Sequence, residues 1–273
     1  MNPPPASPQV PRNLAASPAA APAVSPAEGG IPKRRVLGML ALRPALSFAL
    51  LLALAGFFAS RGAADPVGDS AAWWLWLITA TNAATLFLLV RLGGKEGLRL
   101  RDFYSASKAS WRGDLGWTLV AFAGIAVTAQ LPGDLLAKAL WGTPSVPNNL
   151  LFRPLPLFAV YPLFLLMPAT QALAELPLYW GYVAPRLRAG GMARWKVIAL
   201  VGATLSFQHL CFSFRLDWRY DLWLALKFLP FALWTGFVLE RRPTAMPYLM
   251  GAHFAADAGL PVLAFLVSRG MIL

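Results

Sequence analysis

Seven apolar stretches long enough to cross a membrane recur along the chain, at 36–60, 72–90, 115–139, 155–185, 197–214, 221–239 and 245–267. A helix rises about 1.5 Å per residue, so about 20 apolar residues cross a bilayer's hydrocarbon core. The spacing predicts an all-α, polytopic transmembrane helical bundle of about seven spans. The fourth stretch contains Pro162, Pro168 and Pro177. Proline removes an internal hydrogen bond, so a broken or kinked helix is expected there. The third stretch runs out into Asp134 and Lys138, which leaves its end open.

Composition narrows the class further. Of 273 residues, 58% are apolar and only 13% charged, against about half and about a quarter in soluble domains. That excludes an ordinary soluble enzyme and a wholly disordered chain. The net charge of +12 would also suit a nucleic-acid binder, but such proteins lack long apolar runs, so no nucleic-acid partner is expected. Cys211 is the single cysteine, which excludes an internal disulfide and a cysteine-based zinc site.

Residues 1–35 read as a disordered, Pro/Ala-rich cytoplasmic tail ahead of a transmembrane domain at 36–273. Proline removes donors and fixes φ, which blocks nucleation of regular structure. The tail is not a signal peptide, because the first apolar run starts late and is too long.

The basic residues orient the spans. Lys33, Arg34, Arg35, Arg91, Lys95, Arg99, Arg101, Lys108, Arg112, Arg186, Arg188, Arg194, Lys196, Arg241 and Arg242 fall on one side, fifteen in all, and Arg61, Lys138, Arg153, Arg215, Arg219 and Arg269 make six on the other. Cytoplasmic loops collect Lys and Arg, so the N-terminus is expected in the cytoplasm and residue 273 outside the cell membrane. The same alternation makes 155–185 a single crossing. Loop 91–114 mixes Phe103, Tyr104 and Trp111 with basic residues, as a positive-inside loop with interfacial aromatics does.

Ionisable side chains inside a span cost about 2.5–3.5 kcal/mol each on insertion scales. Six lie in or near the spans: Arg43, Glu175, His209, Lys227, His253 and Asp257. Arg43 and Lys227 are expected to snorkel to the surface. Measured from the basic loops, Glu175, His209 and His253 lie roughly 16, 20 and 16 Å along their helices. Three spans thus place a carboxylate and two imidazoles at one level, expected to converge on a cavity open to the cytoplasm. His253 and Asp257, at i and i+4, share a helix face. Buried polar groups also glue helices together, but four residues suited to proton transfer at matched depth predict a site. A carboxylate with an imidazole can deprotonate a water, and an imidazole N–H can stabilise an oxyanion. Glu175, His209 and His253 also match the ligand count of a catalytic zinc. No H-E-x-x-H segment preassembles such ligands, and the expectation is general-base catalysis by Glu175 with no required metal or other cofactor.

Three stretches resemble the motifs of the CPBP family, the CAAX protease and bacteriocin-processing (Abi) membrane proteins. Glu175-Leu-Pro-Leu-Tyr-Trp-Gly-Tyr-Val resembles the first motif, E-E-x-x-x-R followed by Gly-Tyr. Leu205-Ser-Phe-Gln-His209 resembles the second, F-x-x-x-H, and His253-Phe-Ala-Ala-Asp257 the third, H-x-x-x-N or H-x-x-x-D. The resemblance covers about 150–267. Leu176, Trp180 and Leu205 stand where the family has a second glutamate, an arginine and a phenylalanine. The resemblance implies an intramembrane endopeptidase, in a cell membrane of the bacterial inner-membrane type, acting on a peptide or protein tail that enters from the bilayer. Carried over, Glu175 is the general base, His209 positions the water, and His253 with Asp257 binds the scissile carbonyl and its oxyanion. The alternatives are a catalytically inactive membrane scaffold or bacteriocin-immunity protein that binds a membrane partner, and a small transporter with a polar relay.

Overall fold

The structure, a computed structural model, describes residues 32–104 and 110–272. Most of the expected disordered tail lies outside them. Its boundary moves, however, because the first helix already begins at Lys33. Among the described residues there is no strand. Seven helical spans are long and apolar enough to cross a membrane.

Span one is α1 (Lys33–Ser60), followed by the short α2 (Pro66–Ala71). Span two is α3 (Trp74–Lys95) and span three α4 (Trp111–Trp141), with the short α5 (Ser145–Leu151) after it. Span four, Leu157–Ala189, is one span by length and is broken, as expected. It consists of α6 (Leu157–Val160), α7 (Leu163–Leu176), a π-helical turn (Pro177–Val183) and α8 (Ala184–Ala189). Pro177 cannot donate its backbone N–H, and the ladder resets there as a π-turn. Span five is α9 (Arg194–Ser213). Span six breaks at Phe228, just before Pro230, into α10 (Trp218–Lys227) and α11 (Leu229–Arg241). Span seven breaks at Ala258, before Gly259 and Pro261, into α12 (Met246–Asp257) and α13 (Gly259–Ser268).

Two sets of polar contacts gather the helix ends. At the end carrying most of the basic residues, Glu96 takes Arg35, Tyr182 and Arg186, Asp114 takes Arg242 and Thr244, and Glu240 takes Arg188 and Arg194. At the opposite end Asp69 meets Arg153, Asp65 meets Arg215, and the Leu155 N–H donates to Ser268 Oγ at 2.9 Å. Loop 91–114 adds a 3-10 turn at Leu100–Tyr104, with Phe103 buried against Tyr182; residues 105–109 of this loop lie outside the described ones. Helix α4 is peripheral. Leu119, Val127 and Leu135 along it are exposed, as suits side chains facing lipid tails.

Trp180, in the π-helical turn, packs onto Gly236 of α11. A Cβ on Gly236 would lie 2.3 Å from the indole Cη2. Small residues let helices approach closely in membranes. Gly236→Ala is therefore expected to destabilise the fold by about 1–3 kcal/mol, as overpacking does, read as a lower melting temperature in detergent.

Candidate active site

The centre of the bundle is polar, and the guanidinium of Arg43 organises it. Arg43 is fully buried on the α1 stripe that also buries Met39, Leu40, Ser47 and Leu51. Its Nε donates to Oε1 of Gln208 on α9 at 2.7 Å, and Nη1 donates to Oδ1 of Asn82 on α3 at 2.6 Å. Nη2 donates to Oε1 of Gln171 at 3.1 Å and to Oε2 of Glu175 at 3.3 Å, both on α7. One side chain thus ties four spans together. The expectation that Arg43 snorkels is wrong. Its helix occupies the interior of the bundle, and an inward-facing guanidinium reaches four acceptors sooner than it reaches headgroups.

Glu175 is fully buried as well. Its Oε2 accepts from Arg43, from Gln171 Nε2 at 2.8 Å and from Gln208 Nε2. The amide of Gln208 is held in turn by the hydroxyl of Tyr179, which donates to its Oε1 at 3.0 Å. The other carboxylate oxygen, Oε1, has no hydrogen-bond partner within the protein. It faces Nε2 of His253 across 3.7 Å. His253 Nε2 in turn lies 3.1 Å from Oδ2 of Asp257, one turn later on α12. Neither approach has hydrogen-bond geometry, so Glu175 Oε1, His253 Nδ1 and Asp257 Oδ2 are three buried polar atoms without partners. Unpartnered polar atoms at this depth are costly, and sites of chemistry are where a fold retains them.

His209 reaches the centre from α9. Its Nδ1 is 2.9 Å from the Leu205 carbonyl oxygen, so Nδ1 carries the proton and Nε2 is free to accept one. The ring stacks on Phe228, with centroids 4.0 Å apart, at the break between α10 and α11. His209, His253 and Asp257 line one cavity of about 580 Å³ together with Gln171, Leu176 and Lys227. Glu175 stands behind His253, outside the lining. Three of the four expected residues therefore share one cavity, and Glu175, expected to converge on it with them, stands one layer back. His253 and Asp257 touch, Glu175 backs them, and His209 shares the cavity without an ion-pair contact.

Two expectations are corrected. No described residue of the basic loops lines the cavity. It runs to Asn148, Phe152 and Ile272 at the opposite end. Helix α9 ends at Ser213, which leaves His209 roughly 6 Å from the end opposite the basic loops. Lys227 does not snorkel either. It is 9% exposed, with its ammonium over the Trp223 and Phe228 rings.

Oε2 of Glu175 is occupied by three donors, and among the described residues no three His, Cys, Asp or Glu side chains converge as a ligand set. No family model, characterised protein or solved structure matches the chain.

Four supporting residues, Arg43, Asn82, Gln171 and Gln208, were not anticipated. Gln171 is four residues before Glu175 on the same helix face, and Gln208 adjoins His209. Amides inside apolar runs, next to the candidate residues, were the signal.

Proposed function

We propose that the chain is a multi-pass membrane peptidase of the CPBP type, hydrolysing a peptide bond of a tail that enters its cavity from the bilayer. The observation that carries this reading is the set of unpartnered atoms on Glu175, His253 and Asp257 beside a cavity that His209 also lines. Turning the His253 ring aside brings Oε1 of Glu175 to the cavity. That oxygen then takes a proton from a water held by His209 Nε2, and the hydroxide oxygen bonds to the scissile carbonyl carbon. The carbonyl oxygen becomes an oxyanion, which accepts from the Nδ1–H of His253 while Asp257 steadies the other ring nitrogen. The C–N bond breaks as Glu175 returns its proton to the leaving amine. Arg43 holds the carboxylate in place through Oε2 and leaves Oε1 to react. The family's own motif arginine is absent, and Arg43 from α1 supplies a guanidinium in its stead.

One observation favours the second reading, an inactive scaffold or bacteriocin-immunity protein. Glu175 is saturated on Oε2 and shielded from the cavity by His253. The test is the purified protein in neutral detergent with a library of apolar peptides, read by mass spectrometry. Discrete cleavages by the parent, lost in His209→Gln, support the peptidase. A folded parent that cleaves nothing selects the scaffold.

The same proposal sets the basic end in the cytoplasm, with the N-terminus. The cavity then faces the outer half of the membrane. Cysteines placed at Ser60 and Ala189, exposed at opposite ends, report this in a Cys211→Ser background. A membrane-impermeant maleimide is expected to label the Ser60 position on intact cells and to spare the Ala189 position until the cells are opened. Labelling in the reverse order contradicts the orientation.

A further inference from the structure

Lys227 has no place in the hydrolytic scheme, yet it lines the same cavity. It is the last residue of α10, at the break in the sixth span. Its stem passes Gly133 of α4, where a Cβ would stand 3.3 Å from Lys227 Cβ. The ammonium sits 4.3 Å from the Trp223 ring centroid and 4.9 Å from that of Phe228. Among the described residues no carboxylate oxygen lies within 4.0 Å of it and no hydrogen bond engages it. Asp134, on α4, is the acidic group that acts on it from a longer range. Asp257, in the same cavity, is turned to His253.

A buried ammonium with only aromatic faces for company is expensive to keep. Cation–π contact offsets part of that cost and leaves the charge unneutralised. Around it Ile125, Leu151, Phe152, Met167, Leu224 and Leu260 form apolar walls. The volume of about 580 Å³ is that of a ligand site.

We propose that the cavity binds a single-chain anionic amphiphile, with its carboxylate or phosphate on Nζ of Lys227 and its acyl chain along these walls. An acyl chain carries no polar backbone, so it fills such walls without orphaning a group. The bilayer supplies the class from two sources, free fatty acids and phosphate-headed lipids. The site does not depend on whether the histidines are catalytic.

The experiment titrates purified protein in neutral maltoside micelles with dodecanoate, dodecyl phosphate or dodecanol at pH 8. Thermal unfolding gives the shift and equilibrium dialysis of labelled ligand gives the affinity. Both anions, or one of them, are expected to raise the melting temperature, while dodecanol does not. Carboxylate alone identifies fatty acid as the source, and phosphate alone identifies a phosphate-headed lipid. Lys227→Met is expected to weaken anion binding by about tenfold or more, the loss of one charge-assisted contact. Lys227→Arg is expected to retain most of it. Ligand-free Lys227→Met is expected to melt at or above the parent, because no internal carboxylate loses its partner. Dodecanol acting as strongly as the anions overturns the proposal. So does undiminished anion binding in Lys227→Met, or a fall in its ligand-free melting temperature.

Discussion

Replacing Arg43 with methionine is expected to destabilise the protein by about 3–5 kcal/mol, the cost of stripping one partner from a buried ion pair. Among the described residues the guanidinium is the only cation within 4 Å of the Glu175 carboxylate apart from the titratable His253. Removing it leaves the carboxylate buried and takes the donors from Asn82, Gln171 and Gln208 as well. Arg43→Lys is not a conservative change here, since an ammonium cannot present three nitrogens in one plane to three helices. Adding Glu175→Gln to Arg43→Met should recover at least half of the loss. The glutamine accepts from Gln171 and Gln208 without bringing a charge. Reversible unfolding in mixed micelles gives the four stabilities of the cycle, and simple additivity would show that the pair is not coupled.

The second large effect is on turnover. Asp257→Ala and His253→Ala are each expected to lower kcat/KM for a cleaved peptide by about 10²–10⁴-fold, the range for losing a positioned proton-transfer or oxyanion group. Their side chains are 14% and 11% exposed, and among the described residues their ion-pair contacts are with each other and, for His253, with Glu175 Oε1 at 3.7 Å. The melting temperature should therefore move little, in contrast to Arg43→Met. Asp257→Asn should retain more activity than Asp257→Ala, because an amide of the same shape still packs against the imidazole and orients it. Equal loss in both variants would make the negative charge, rather than the orientation of His253, the requirement.

The number of spans was legible because uninterrupted apolar length is a direct consequence of bilayer thickness. The break in the fourth span was legible from its prolines. The breaks at Phe228 and Ala258 were signalled by Pro230 and Pro261 but lay inside single apolar runs, where length alone predicts one straight helix. Glu175, His209, His253 and Asp257 stood out because ionisable groups are costly in lipid. Arg43 was misread for a physical reason. Depth along a helix is countable in a sequence, but the direction a side chain faces depends on which neighbours the helix packs against. The pattern of Met39, Leu40, Arg43, Ser47 and Leu51 does fall on one face at three- and four-residue intervals. In a chain apolar all round, no contrasting face marks that stripe as the inner one. The end to which the cavity runs needed the helix ends, and α5 at Asn148 and the penultimate residue Ile272 gave no sequence signal of lining it.

The measurement that bears most directly on the account is peptide cleavage by the double variant Arg43→Met/Glu175→Gln, compared with the parent at matched folded fraction. The charge pair is gone from both ends, so folding and chemistry separate. A folded double variant that cleaves nothing, beside a parent that cleaves, is the predicted result. A folded double variant that cleaves at the parent's rate would show that the Glu175 carboxylate takes no part in the reaction.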